Sequence, residues 1–365
     1  MKRGPIILLI TFIVCICCPC IIWFIAGDRS TVSNLEKRKL ASMPQLSFAN
    51  YDIFLNEFEN YFNDHLPCRD VLISIDTNLN YYLFHQYIGT SESGGVIVGK
   101  ENWLFLGGTV DDYLGKNLLS EDELENIKNN CKKIQNDLQM EGSQFVILVA
   151  PNKSRMYSEF MPEQYGVPAD YFKTLQVIKY LRENTDIQII YPYDELIDAK
   201  ESIDNTLYYK TDTHWNNIGS YVGTRALLQE LDIDIPDISS DQLKIKENGY
   251  HNGDLAQMMN MTAQLNKIDH DYLIEGYDTH NIQELSVENA QAYTSSNSDE
   301  RRVYMCHDSF GYGMIPYIGS QFSYTYFKNK SSYSYDDFKK QQTDIFIYEV
   351  VERNISNLAT FTIYK

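Results

Sequence analysis

The sequence predicts an α/β fold, a doubly wound and mainly parallel sheet preceded by one N-terminal transmembrane helix. Three observations carry that prediction. Beyond Glu121, short continuous apolar runs alternate with segments of helical periodicity, as strands covered on both faces by helices require. Polar residues stand just past several of those runs, where such sheets gather ligands. Near the amino terminus, Ile6 to Ala26 carry no charge.

Those 21 uncharged residues follow Lys2 and Arg3 and precede Asp28. A helix rising ~1.5 Å per residue spans a hydrocarbon core of ~30 Å over that length. Two basic residues before it keep the amino terminus cytoplasmic and place the rest outside. The reading is a single-pass anchor (1–27); a cleaved signal peptide is the alternative. Of the seven cysteines, Cys15, Cys17, Cys18 and Cys20 lie in this segment, leaving Cys68, Cys131 and Cys306. An odd number without paired spacing predicts neither a disulfide framework nor a zinc knuckle.

A charged linker (28–50) leads to a helical pattern near Tyr51, in which Phe54, Phe58, Tyr61 and Phe62 share one face. Next, GVIVGKENWLFLGG (Gly95 to Gly108) has two apolar runs around Gly-Lys-Glu-Asn, a hairpin signal. Residues 51–120 therefore read as an extension of the main domain, 51–365. Asp122 to Gln139 is helical in pattern, Gln144 to Ala150 a strand, Tyr171 to Glu183 helical and Ile187 to Tyr191 a strand. Asn216 caps a helix to about Leu231. After a loop-rich stretch, Arg302 to Cys306, Phe322 to Phe327 and Asp344 to Val351 supply further strands, and Thr294 to Glu300 reads as a mobile loop.

A formal charge of −19, with no basic block, argues against nucleic acid as a partner. Walker and dinucleotide glycine patterns are absent, and nothing in the chain calls for a cofactor. The 28 tyrosines could stack on sugars or reflect source composition.

Chemistry concentrates in TDTHW (Thr211 to Trp215) and CHDSFG (Cys306 to Gly311). A serine needs a base to take its proton and a third group to hold that base in the right tautomer. Asp212 and His214, two apart on an extended loop, can supply both. Ser309, where a strand turns into a helix, can expose its hydroxyl and backbone N–H groups for an oxyanion. His214 Nε2 within ~3.2 Å of Ser309 Oγ is the expected signature. His307, with a facing similar to Ser309, is a competing base, and Cys306 reads as core. A metal site of Asp212 and His214 with Asp254 or Asp308 is the chemical alternative. Asn152, Lys153, Tyr157 and Arg353 are candidates for oxyanion or substrate contacts.

In order, LEKRKLASMP, YFNDHLPCRD, ENWLFL, VAPNKSRMY, TDTHW, NGDLAQM, HDSFG and DIFIYEVVER resemble the DHHW proteins, which are close to the alginate O-acetylation proteins AlgJ and AlgX. The resemblance implies a permuted SGNH-hydrolase-like fold and a triad of Asp212, His214 and Ser309. It implies acetyl transfer to a polysaccharide hydroxyl on the outer side of a bacterial cell membrane. A membrane-bound O-acyltransferase would be the acyl-donating partner. His307 stands where the family's GDSF motif has glycine, which motivates a second reading: a glycan-binding or assembly component that keeps the fold without the reaction.

Overall fold

The computed structural model describes residues 3–26, 32–33, 38–46, 51–66, 75, 78–79, 81–82, 95–279, 281–296 and 299–364. Cys68, His280 and part of the 28–50 linker lie outside them. The apolar segment forms helix α1 (Arg3–Ala26), with Ile6 to Ile10 exposed. Several of its side chains lie outside the description, and among the described residues no helix is long and apolar enough to cross a membrane. Linker residues Val32–Ser33 (β1) and Arg38–Lys39 (β2) pair antiparallel. The amphipathic helix expected near Tyr51 is α2 (Tyr51–Asp64). Its aromatic face meets Trp23, with ring centroids 6.4 Å to Phe58 and 5.4 Å to Phe62.

The hairpin consists of β3 (Val96–Val98) and β4 (Leu104–Leu106). Its turn places Glu101 and Asn102 at positive φ. Helix α3 (Glu121–Met140) opens on a capping box: Ser120 accepts from the Glu123 N–H while the Glu123 carboxylate accepts from the Ser120 N–H. It buries Leu124, Ile127, Cys131, Ile134 and Leu138, one stripe at helical spacing.

The central sheet comprises β5 (Gln144–Ala150), β6 (Gln188–Ile190), β9 (Ile282–Leu285), β10 (Gln291–Ser295), β11 (Asp299–His307), β12 (Phe322–Asn329) and β13 (Ile345–Val351). Their order is β6-β5-β13-β11-β12-β10-β9. The first five run parallel, whereas β10 and β9 are antiparallel additions, so the sheet is mixed rather than wholly parallel. Thr294 and Ser295 belong to β10, and β11 already begins at Asp299. Of the segment read as a mobile loop, the described residues 294, 295, 299 and 300 are thus strand, paired into the sheet through β12 and β9.

Numbered from β5, the parallel strands lie in the order 2-1-5-3-4. Numbered from β11 and continuing through β12, β13, β5 and β6, the same sheet reads 2-1-3-4-5. That is the flavodoxin-like doubly wound order with its chain start displaced, and its switch point falls between β11 and β13. Successive side chains of β5 enter opposite layers: Val146, Leu148 and Ala150 in one, Phe145, Ile147 and Val149 in the other. The first layer is closed by α4 (Asn217–Gln229), the second by α3, so both faces are dry. A separate antiparallel pair, β7 (Lys244–His251) and β8 (Asp269–Glu275), occupies the stretch read as loop.

Candidate active site

Asp308 and Ser309 follow β11, Glu352 and Arg353 follow β13, and Asn152 and Lys153 follow β5, all at the carboxyl edge of the sheet. The Asp212 loop reaches this edge differently, running from Leu207 into α4 rather than leaving a strand of the sheet. Tyr208 bridges Trp215 across its neck. Asn216 caps α4, its side chain accepting from the Ile218 and Gly219 N–H groups.

Two buried charges hold this loop from opposite sides. The Asp269 carboxylate accepts from the N–H groups of Lys210 (2.5 Å) and Thr211 (2.7 Å). The Lys153 ammonium donates to the carbonyls of Tyr209 (3.0 Å), Lys210 (3.0 Å) and Asp212. Burial lowers the Lys153 pKa to about 8, although Asp269, Asp212 and Asp254 favour its charged form. Tyr157 stacks on Trp103 (4.3 Å), and its hydroxyl accepts from the Leu207 N–H (2.8 Å). Lys153 and Tyr157, candidates for substrate contact on sequence, are therefore engaged in holding the loop's backbone. Both side chains are buried.

Within the loop, His214 Nδ1 lies 2.5 Å from Asp212 Oδ1, and the His214 N–H donates to the same oxygen (2.9 Å). His214 Nε2 lies 2.7 Å from Ser309 Oγ. With the proton on Nδ1 directed at Asp212, Nε2 is left to accept from the serine. The second oxygen, Asp212 Oδ2, accepts from the Asp254 N–H (2.8 Å) and faces His251 Nε2 (3.1 Å). Burial alone would raise the Asp212 pKa; the hydrogen bonds from His214 and His251 outweigh it and hold the group ionised well below the usual carboxylate range.

Ser309 is exposed and opens the 3-10 turn Ser309–Met314. Its N–H, at the first position, has no intrahelical acceptor and is available to a developing oxyanion. Asp308 organises the turn: Oδ1 accepts from the Phe310 N–H (3.0 Å) and Oδ2 from the Val351 N–H (2.9 Å). The Trp215 indole donates to the Phe310 carbonyl (2.9 Å), tying this turn to the Asp212 loop.

His307 does not share the facing of Ser309. It ends β11 on the Val303–Met305 side, is buried, and packs edge-on to Tyr312 (4.8 Å) with Nδ1 2.6 Å from the Asp308 carbonyl. Burial lowers its pKa. None of residues 307–311 has positive φ, so the turn imposes no need for glycine at 307. Cys306 is buried in the opposite layer, as read.

Asn152 uses its amide nitrogen on Glu352 Oε1 (3.2 Å) and Asp112 Oδ2 (3.5 Å), leaving its oxygen to Arg353 (3.4 Å). Arg353 also lies over the Phe310 ring (5.4 Å), which in turn packs on His214 (4.7 Å). Of the four further candidates, Asn152 and Arg353 thus stay at the sheet edge beside the Ser309 turn. For the metal alternative, ligating atoms of Asp212, His214 and Asp254 lie within 4.8 Å of one another. Those atoms are already engaged: Asp254 accepts from the Thr213 N–H (2.8 Å) and hydroxyl (2.7 Å), and Asp212 as above. Asp308 is occupied by the turn. The arrangement is a hydrogen-bonded chain rather than a ligand cage.

Sequence reasoning missed Asp112, His251 and Asp269. One signal was available in HNGD: a Cβ at Gly253 would lie 2.0 Å from the Thr211 carbonyl oxygen, so the Asp254 segment can approach the Asp212 loop only as glycine.

The fold and this array define a circularly permuted, doubly wound α/β domain that presents a Ser-His-Asp chain at its switch point. Residues 96–297, more than half the chain, match the family model described as SGNH hydrolase-like domain, acetyltransferase AlgX. The chain belongs to that family. The matched span includes Asp212 and His214 and ends before Ser309. Similar proteins include the probable alginate O-acetylase AlgJ of Pseudomonas aeruginosa, 26% identical over 246 residues (65% of this chain, 59% of the relative). The namesake of Pseudomonas putida is 23% identical over 173 residues (47% and 41%). The chain thus spans about half the length of these curated relatives. Among solved structures, Bacillus cereus PatB1 superposes with a TM-score of 0.54 at 14% identity, covering 73% of this chain and 99% of that one. A DHHW family protein from Eubacterium siraeum gives 0.53 at 13% identity, covering 74% and 99%. Both share the fold.

Proposed function

We propose that the protein is a membrane-anchored, extracytoplasmic serine O-acetyltransferase or acetylesterase acting on a cell-envelope or exported polysaccharide. The observation that carries this reading is the 2.7 Å approach of His214 Nε2 to Ser309 Oγ with Asp212 on the other ring nitrogen. The relatives named as probable alginate O-acetylases support a polysaccharide acceptor. The uncharged Ile6–Ala26 segment behind Lys2 and Arg3 supports the anchor.

In the first half-reaction Ser309 Oγ attacks the acetyl carbonyl as its proton passes to His214 Nε2. Asp212 stabilises the imidazolium that forms, and the Ser309 N–H with the Arg353 guanidinium faces the oxyanion. His214 then protonates the departing donor group, leaving acetyl-Ser309. A glycan hydroxyl attacks this ester, His214 takes its proton, and Ser309 is regenerated; water in place of the glycan gives hydrolysis. A membrane-bound O-acyltransferase would supply the acetyl group.

Full-length protein in detergent, given p-nitrophenyl acetate, should release nitrophenol, and Ser309→Ala should not. Equal rates in the two would overturn a serine mechanism. Adding acetylatable polysaccharide should then yield polymer-bound acetyl ester, dependent on Ser309; release of acetate alone would assign the esterase half of the reading.

A further inference from the structure

His251 lies outside the Asp212-His214-Ser309 chain yet touches it. It ends β7, opposite Asp269 of β8 in the ladder. Nε2 is 3.1 Å from Asp212 Oδ2 and Nδ1 is 3.2 Å from Asp271 Oδ1. The ring stacks on Tyr209 at 3.8 Å between centroids, 11° from parallel, and the Tyr209 hydroxyl donates to the same Asp271 oxygen (2.6 Å). Nε2 makes the hydrogen bond to Asp212, and Nδ1 faces Asp271 as an ion-pair contact; a neutral ring donating from Nε2 would turn its Nδ1 lone pair toward the Asp271 carboxylate, whereas the imidazolium presents an N–H to each.

We propose that His251 is a positioning residue of this site, an imidazolium clamped between Asp212 and Asp271 that fixes Asp212 Oδ2 and leaves Oδ1 to His214. The proposal rests on the serine reading above. The charges around the ring are consistent with it from every side. The loop presents Asp212 and Tyr209 and β8 presents Asp269 and Asp271, while Asp254 of α5 (Asp254–Met258) turns its backbone N–H to Asp212 Oδ2. His214 lies beyond Asp212, and the Lys153 ammonium is held behind the loop by backbone carbonyls. Burial disfavours the charged ring, but Asp212, Asp271 and Asp269 outweigh it and raise the His251 pKa above the ordinary histidine value.

Two consequences follow for the chemistry. Asp212 cannot swing away from His214, because both of its oxygens are claimed by groups on different elements. Its negative charge is also shared between two rings, so the cation formed on His214 during the reaction competes with one already present. Removing the His251 charge gives Asp212 wholly to His214 and moves the acid limb of the pH–rate profile upward.

The test uses full-length protein in detergent. Ring ¹⁵N shifts of His251, assigned by loss of its signals in His251→Gln, should show two protonated nitrogens near pH 7. His251→Gln keeps a donor toward Asp212 without the charge. It should move the acid limb of p-nitrophenyl acetate hydrolysis up by roughly half a unit to one unit. His251→Ala, which leaves the Asp254 N–H as the remaining restraint on Asp212 Oδ2, should lower kcat by about tenfold with little change in KM. A neutral-ring pattern in the wild type, or a superimposable profile for His251→Gln, would overturn the proposal. Should His251→Gln fail to fold, the wild-type ring shifts, assigned by site-specific labelling, decide. Ser309→Ala runs beside these variants: undiminished turnover there removes the serine reading itself, whereas its loss together with an unmoved limb removes only the role of His251.

Discussion

His307 lies directly beneath Gly311: a Cβ at residue 311 would come within 2.5 Å of the His307 Cβ and 2.8 Å of its Nδ1. Histidine in place of glycine before the nucleophile turn is therefore accommodated two residues downstream of Ser309, and not by strain in the turn itself. Gly311→Ala should destabilise the protein by about 1–3 kcal/mol, as insertion into a packed interior does. Combined with His307→Gly, the same alanine should cost less than it does alone. A double-mutant cycle by denaturant unfolding measures this coupling, which should exceed about 0.5 kcal/mol.

The Arg353 guanidinium has five donors and makes one long hydrogen bond, to Asn152, among the described residues. Burial lowers its pKa, while Asp308 and Asp254 act in the opposite sense, so the group remains a cation beside the Ser309 turn. Arg353→Met should leave thermal stability within a few degrees of wild type and reduce kcat by roughly a hundredfold, the loss typical of one oxyanion donor. Steady-state kinetics with p-nitrophenyl acetate checks it. A rise in KM alone would assign Arg353 to substrate binding.

Much of this architecture is legible in the sequence, and the reasons are specific. The strand Gln144–Ala150 is found to the residue because a buried parallel strand is one unbroken apolar run. Asp212 and His214 can be paired because they share a loop. Joining them to Ser309, 95 residues beyond His214, took the motif order of a resembling family. What stays hidden is long-range and polar. The strand Lys244–His251 is mostly exposed and shows no apolar alternation, so its ladder with β8 reads as loop, and His251 and Asp269 vanish with it. Lys153 and Tyr157 illustrate the converse. Their donors and hydroxyls are visible in the sequence, but the backbone atoms they meet depend on tertiary structure.

Lys153 and Asp269 should prove as necessary as the reacting groups. Lys153→Met keeps the stem but leaves the carbonyls of Tyr209, Lys210 and Asp212 without their shared donor. The Lys210 carbonyl keeps the Leu104 N–H (2.8 Å), but those of Tyr209 and Asp212 are left unsatisfied, at about 1–3 kcal/mol each when no water reaches them. The expected result is a loss of at least about 2 kcal/mol in urea unfolding and of most activity. Asp269→Asn keeps an acceptor for only one side of this pair and turns an amide N–H₂ toward the Lys210 or the Thr211 donors, so it should lower stability and activity as well.

Asp112 gives the stability of the protein a pH dependence of defined sign. Burial, then the hydrogen bond and charge of Glu352, push its carboxyl well above the ordinary range; Lys173 and Arg155 oppose this without prevailing. The folded chain therefore keeps a proton at pH values where the unfolded chain has released it. More protons bound in the folded state means that stability falls as pH rises. The contribution is fully present below the unfolded carboxylate pKa and is lost progressively as pH rises toward the folded one. Wild type should lose roughly 1–3 kcal/mol from this group between about pH 5 and about pH 8. Asp112→Asn supplies a permanent N–H toward Glu352 in place of the carboxyl proton and cannot titrate. Urea unfolding at several pH values should then show a flatter dependence for the variant and a smaller deficit at the alkaline end. Parallel curves for the two proteins would place the proton elsewhere in the Glu352 network.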